Sequence, residues 1–575
     1  MSAPTILAQP VGDVRSERSW TRLVRPERFA IAAVGVVVAW LGVVPLAFLL
    51  WRAFFQGGAP TAAFFRRAYS SYGLDTMLAN SLWFATGSTV LAVTVGTLLA
   101  YIVVRTDIPA KTFLFAASLA PLVVPGVLYT IAWVFLASPR SGALNEALGH
   151  AGIGPVNVFG LPGMVLVEGL HLAPLVFLLM FAAFRSMDTS LEETALVAGA
   201  RLTTVFRRVT LRLVAPALSA AVLIVAVRSI EAFEVPALLG IPGGVWVFTS
   251  RIWRSLSEYP FDLGEAAAYS LPLLLLTSVG LLLHARLGRR ARRFQSITGK
   301  GFRSKPLPLG AWRWPALAFC LAYIFVAVLL PLLILIYAST QRLYAPPSLD
   351  GLSAMTLDNY REVLGSGETL HAFQNSLVLG AGTATVVMLF MALASWVLTR
   401  TKAPGRRLVD ALAFLPIAVP GIVLGVALLF VYLRLPFGVY GTLWILFIAY
   451  CTRFMPYGLR YASVSMAQVG AELEESARAS GATWWQTFRR VLFPLALPGL
   501  VAGWTTILIL SLRELSSSLL LYSPGNEVLS IRIWEQYQSG ELAQVAALGT
   551  LMTTLLATLS VIAYKLGARA GLRAA

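Results

Sequence analysis

Glu193 and Glu475 stand at the same place in two copies of one pattern. Glu193-Thr-Ala195 is followed by Gly199, and Glu475-Ser-Ala477 by Gly481. Each copy then reaches Phe-Arg-Arg-Val, at Phe206-Arg207-Arg208 and at Phe488-Arg489-Arg490. An acid, small residues, a glycine and a basic-aromatic end are chemistry for contact, not for breaking bonds. A second group of polar residues lies inside apolar runs: Glu168 and His171, then Arg228, Glu231 and Glu234, then Arg453, then Arg513 and Glu514. Ionisable groups in such runs are costly and face a bundle interior or an aqueous cavity. They can line a pathway, pair structurally, or snorkel at helix ends. The sequence has no G-x-x-x-x-G-K-[ST] loop, no Ser/His/Asp set and no metal-spaced cluster, and its four histidines are scattered. No catalytic residue and no metal ligand is expected.

The elements that hold these residues are membrane helices. The chain is 58% hydrophobic and 13% charged, against about 25% charged in soluble domains. Apolar spans are expected near 29–51, 79–104, 112–137, 161–184, 213–236, 266–285, 314–338, 374–399, 407–433, 438–459, 496–520 and 543–564. Each suffices for a hydrocarbon core of about 30 Å. A β-barrel would show short alternating segments instead. The net charge of +18 comes from short basic loops, which set topology and do not imply nucleic acid. Arg15, Arg18, Arg22, Arg25 and Arg28 mark the tail, and "RLGRRARRFQSITGKGFRSK" follows the sixth span. Both termini are therefore expected in the cytoplasm, with 1–28 a retained tail and not a cleaved leader. Cys320 and Cys451 fall in apolar runs and imply no disulfide framework.

The chain repeats itself. "NSL" at Asn80 returns at Asn375, "RTDIPAK" at Arg105 returns as "RTKAPGR" at Arg400, and "VPG" ends at Gly126 and again at Gly421, all with an offset of 295. The Glu–Gly pattern and "FRRV" return with an offset of 282, and "RIW" at Arg251 returns at Arg532. An even number of spans per half makes the halves parallel, with a pathway between them. His171 and Arg453 are then equivalent, as are Glu231 and Arg513, which are expected to face each other with opposite charge near the axis. Pro121, Pro125, Pro416 and Pro420 are expected to kink their spans. The expected units are the tail 1–28, a first unit 29–285, a basic linker 286–313 and a second unit 314–575. The fold class is an all-α polytopic membrane protein: about twelve transmembrane helices in two parallel six-helix repeats, related by a pseudo-twofold along the membrane normal.

Each repeated pattern sits in a cytoplasmic loop between the fourth and fifth spans of its half. Ser190 and Glu193 are expected to form a capping box, Gly199 to stop the helix, and Thr483 with Gln486 to cap in the second copy. Phe206 and Phe488 are expected as apolar anchors for a partner. An amphipathic helix lying on anionic headgroups would account for arginine and phenylalanine. A docking helix–turn–helix would also account for the fixed spacing of acid, small residues and glycine.

The pattern resembles the EAA loop of binding-protein-dependent ABC importer permeases: E-A-A, three residues, G, nine residues, I-x-L-P. The second copy ends in "VLFP" at Pro494. The first departs from the pattern, with Arg212 at that position and Pro216 four residues on. The resemblance covers nearly the whole chain and implies the type I permease fold. It implies coupling positions at Glu193, Ala195, Gly199, Phe206, Arg207, Glu475, Ala477, Gly481, Phe488 and Arg489. It implies two copies of a cytoplasmic ATPase that carry the ATP and magnesium, an external binding protein, and a place in the bacterial inner membrane; this chain itself binds no cofactor. The fused two-unit form, with "LRELSSSLLL" from Leu512, is similar to ferric iron permeases; thiamine, 2-aminoethylphosphonate and polyamine permeases are related alternatives. A proton-coupled secondary transporter built from parallel repeats would share the twelve spans but not the duplicated cytoplasmic loop, and a membrane scaffold would not transport.

Overall fold

The computed structural model describes residues 26–70, 73–152, 154–188, 190–291, 306–400, 404–436 and 438–569. Most of the tail 1–28 and the middle of the linker 286–313 lie outside the described residues. In the first half, α1 (Pro26–Phe54) ends in a small antiparallel hairpin, Phe55–Gln56 with Ala59–Pro60. The helices α2 (Leu74–Arg105), α3 (Lys111–Ser118), α4 (Gly126–Ala137), α5 (Leu161–Ser186), α6 (Ser190–Val197), α7 (Ala215–Glu231), α8 (Phe248–Ser257) and α9 (Leu263–Ala291) follow. The second half repeats this as α10 (Arg313–Ile324), α11 (Leu330–Ser339), α12 (Gly367–Arg400), α13 (Arg406–Phe414), α14 (Gly421–Tyr432), α15 (Leu443–Gln468), α16 (Ala471–Ala479), α17 (Phe493–Leu512), α18 (Leu529–Gln538) and α19 (Leu542–Arg569).

Among the described residues, eight helices are long and apolar enough to cross a membrane, and counting each bent pair as one span brings the number to eleven. The tenth expected span, α15, has 26 residues but carries Thr452, Arg453, Tyr457 and Arg460. It is set apart by polarity, not by length. The proline kinks form as expected. The segment Lys111–Leu122 meets Gly126–Ala137 at 97°, and Arg406–Ala418 meets Gly421–Tyr432 at 110°. Pro125 and Pro420 stand at the N-caps of α4 and α14, where a missing N–H is harmless.

The tightest packing within each half lies between its second and fourth spans. A Cβ on Gly96 of α2 would lie 2.5 Å from the Ala173 carbonyl oxygen of α5, and one on Gly458 of α15 would lie 2.6 Å from Val387 of α12. The close approach occurs at the same level in both halves, but the glycine comes from opposite helices. Small residues at such crossings let backbones meet. Because the Gly96 contact is backbone, Gly96→Val is expected to destabilise the bundle by about 1–3 kcal/mol. The apparent melting temperature in detergent would fall; an unchanged value would contradict this packing.

The repeated "NSL" now has a structural reason. Asn80 Nδ2 donates to Trp246 O at 3.1 Å and Asn375 Nδ2 to Glu527 O at 3.0 Å. Ser81 and Ser376 accept from the first backbone N–H groups of α8 and α18. The motif thus fixes the entry of the two "RIW" helices. The first span of each half crosses to the other half. α1 packs on α13 and α14, and Trp40 Nε1 donates to the Tyr432 hydroxyl at 3.3 Å. α10 and α11 pack on α3 and α4, and the Tyr344 hydroxyl donates to Phe135 O at 2.6 Å.

Candidate functional site: two loops and a charged axis

Both repeated loops have one backbone plan. Gly199 has φ +84° and Gly481 φ +83°. Ala200 N donates to Ala195 O and Gly199 N to Leu196 O; Ala482 N donates to Ala477 O and Gly481 N to Arg478 O. These are Schellman stops, which need a left-handed residue. A Cβ on either glycine would meet nothing within 4 Å, so only the backbone angle demands glycine. Both chains then widen into a five-residue π turn, Phe206–Thr210 and Phe488–Leu492, a distortion common at functional sites.

The caps differ from each other. Thr483 and Gln486 form the expected reciprocal box. Ser190 instead enters α6 as its first residue, and its N–H donates to the Asp188 carboxylate at 3.0 Å. That bond holds the Asp188 carboxyl below its ordinary range. The exits differ too. Trp484–Leu512 runs on as one helix, whereas the first copy bends by 74° between Thr203–Leu213 and α7. The bend falls where Arg212 replaces the proline of the second copy.

Which acid does what is the main correction to the sequence reading. Glu193 and Glu475 are exposed, as are Arg207 and Arg489. Their unremarked neighbours, Glu192 and Glu474, are the buried ones. Glu192 accepts from Arg105 at the end of α2 and from the Thr210 hydroxyl, with Arg105 and Glu192 only 2% and 0% exposed. In the second half the equivalent Arg400 turns to the carbonyls of Met466 and Val469. Glu474 pairs with Arg478 at 2.6 Å, and that arginine is 47% exposed.

Phe206 and Phe488 are also not the outward anchors expected. Phe206 packs on Tyr101 at 4.6 Å, and Phe488 is buried on Trp396 at 4.7 Å, which also stacks on Trp484 at 3.9 Å. Tyr101 and Trp396 are equivalent positions, so each loop is clamped to the second span of its half. The outward apolar residues are Leu191, Val197, Leu473 and Trp485. No periodicity in so short a helix distinguished these from their neighbours; only the pairing of Leu191 with Leu473 by the repeat offset could have.

The intramembrane charges do gather near the pseudo-axis. Equivalent residues Glu234 and Ser516 meet there, Ser516 Oγ lying 3.5 Å from Glu234 Oε1. On the side away from the loops, the tryptophans of the two "RIW" segments, Trp253 and Trp534, meet edge to face at 5.6 Å beside Phe233. The expected Glu231–Arg513 pair is not formed. Glu231 pairs with Arg228 at 3.6 Å, and Arg513 donates across the halves to Leu122 O. The helix α7 ends at Glu231, which turns that carboxylate back toward its own preceding turn. Arg453 pairs with Glu514 at 2.8 Å. Glu168 lies in electrostatic reach of Glu234 and Arg228, and His171 packs on Tyr129 at 4.8 Å. Arg228 lies in the last turn of α7, beside Glu231. Among the described residues no three His, Cys, Asp or Glu side chains converge as a metal cage.

Comparison with known proteins places this architecture. A family model described as binding-protein-dependent transport system inner membrane component matches twice, at residues 92–293 and 389–570. The ferric transport system permease protein FbpB of Actinobacillus pleuropneumoniae is 24% identical over 463 residues, covering 79% of this chain and 65% of its own length. The Fe(3+)-transport system permease protein FbpB 2 of Haemophilus influenzae is 24% identical, covering 81% and 85%. A putative 2-aminoethylphosphonate transport system permease protein, PhnV of Salmonella typhimurium, is 26% identical over 38% of this chain and 82% of its own. The two matched segments fall one on each half of the repeat, each containing one loop. The chain therefore belongs to the family of binding-protein-dependent transport system inner membrane components, as two units in one polypeptide.

Proposed function

We propose that this chain is the membrane pathway of an ATP-driven importer that receives ferric iron from an external binding protein. Two copies of a cytoplasmic ATPase dock on its loops, through Glu193, Leu191 and Val197 in one half and Glu475, Leu473 and Trp485 in the other. Both termini lie on that side. Closure of the ATPase pair on ATP would push the loops, and their aromatic clamps on Tyr101 and Trp396 would carry the motion to α2 and α12. The halves would then rock about the charged axis and part the Trp253–Trp534 contact, which is alternating access between two states. The observation that carries the reading is the pair of loops with the same glycine-stopped backbone, one in each half.

Iron as cargo is supported by the names of relatives aligned over most of this chain. The likeness to PhnV favours 2-aminoethylphosphonate as a second reading. The test is uptake into proteoliposomes holding the chain with its ATPase and external binding protein. Ferric uptake should require ATP and survive an uncoupler. Uptake that needs a proton gradient and ignores ATP would overturn the proposal.

A further inference from the structure

The repeat allows each polar residue at the axis to be compared with its counterpart, and the halves differ. In the second half Glu514, Arg453 and Tyr450 are satisfied from within. Glu514 accepts from Arg453 at 2.8 Å and from Ser517 N and Oγ at 3.0 Å each. The Tyr450 hydroxyl meets Ser518 Oγ at 2.8 Å. The corresponding places in the first half hold Glu168 for Tyr450, His171 for Arg453 and Glu234 for Ser516. Glu168 is 6% exposed, with Glu234 and Arg228 as its electrostatic neighbours. His171 is equally enclosed, and its Nδ1 is buried without a partner. A Cβ on Gly126 would sit 3.7 Å from the Glu234 carboxyl carbon and 3.9 Å from His171 Nε2. These two side chains therefore flank the same point at the start of α4.

Leaving a buried carboxylate without donors costs several kcal/mol. The charge of Arg228 offsets only part of this for Glu168, because its ion pair is with Glu231, and Arg513 is held by the Leu122 carbonyl. Glu168 and Glu234 instead repel each other.

Resting on the pathway reading above, we infer that the first half alone carries a cargo-contact site, built from Glu168, His171 and Glu234 beside Gly126, for a cation that bears its own hydrogen-bond donors. A metal cation that keeps coordinated water and a protonated amine share that chemistry. The absence of a convergent three-ligand cage among the described residues fits an occupant held by charge and hydrogen bonds, not by full inner-sphere coordination. A site of this kind binds weakly enough to release. The second half, where Arg453 and Glu514 pair with each other at the same level, serves as the fixed wall.

Terbium(III), a hard trivalent cation, tests the metal arm on the full-length chain in detergent. Tyr129 and Trp133 on α4 are the sensitising rings, Tyr129 lying against His171. Saturable sensitised emission should appear in the wild type and weaken by about tenfold or more in affinity in Glu168→Gln and Glu234→Gln, the loss of one charge-assisted contact. Glu258→Gln, in an exposed outer pair with Arg254, should bind as the wild type does. Glu168→Gln should melt no lower than the wild type, since it removes a buried charge beside the like charge of Glu234, and Glu168→Asp should recover part of the binding. If terbium gives no such emission, ethylammonium chloride should raise the melting temperature of the wild type but not of Glu168→Gln; that result keeps the site and makes the cargo an amine. Terbium emission unaffected by both variants, or no effect of either probe, overturns the inference. ATP-dependent uptake by the wild type would stand in that case, so the two readings fail separately.

Discussion

Gly481→Arg is expected to leave the protein folded and inserted while uncoupling it from ATP. The glycine has φ +83°, and no heavy atom lies within 4 Å of the place a Cβ would occupy. The folding cost is therefore only the left-handed backbone of an L-residue, about 1–2 kcal/mol. The arginine would project from the turn that separates α16 from the next helix, on the face where Glu475, Leu473 and Trp485 are exposed. Bulk and charge there should obstruct a partner surface without touching the membrane bundle. Uptake should fall at least about tenfold, equivalent to about 1.4 kcal/mol of lost docking, and copurification with the ATPase should weaken. Wild-type uptake by this variant would remove the loops from the coupling role.

The second large effect is expected at a residue with no outward role. Glu192→Gln leaves the Arg105 guanidinium buried against a neutral amide, and breaking one side of a buried pair costs about 3–5 kcal/mol. The equivalent change, Glu474→Gln, removes an i,i+4 partner from a half-exposed arginine and should cost about 1 kcal/mol or less. Thermal unfolding in detergent compares the two directly. Arg105→Met combined with Glu192→Leu should recover much of the loss, because a buried pair replaced by apolar residues is often neutral. Equal losses for Glu192→Gln and Glu474→Gln would mean that the two loops are anchored alike.

That asymmetry marks the limit of what the residues alone convey. Features set by neighbours in the chain were legible: Gly199 and Gly481 as helix stops, the Thr483–Gln486 cap, the proline breaks before Gly126 and Gly421, and the two-unit repeat. The Ser190–Glu193 cap failed locally, because Ser190 enters the helix and Asp188 takes its N–H; the other failures depended on rotation and long-range packing. Glu192 and Glu193 are adjacent, and a shift of about 100° along a helix decides which one meets Arg105, 87 residues away. Phe206 and Phe488 were expected as anchors for a partner, but Tyr101 and Trp396 take them inward. The same holds at the axis. The charged set was identified by its presence in apolar runs, yet its pairing followed local helix ends: Glu231 took Arg228 from its own helix in place of Arg513 from the other half.

The exchanged first spans bear on how the protein is made. Helix α1 enters the bilayer well before the surfaces that cover it, α13 and α14, are synthesised. Gly35 of α1 meets Val409, and Gly42 meets Pro416. Synthesis at about 5–20 residues per second would leave α1 without its partner for roughly 20–75 seconds. During that interval α1 has only α9 among the long helices of its own half to pack on, and the flank that α10 and α11 later fill stays open. Each half then completes its packing only with the other. A chain truncated after the linker would present both unmatched surfaces to the lipid, and membrane quality control would have a ready signal for its removal.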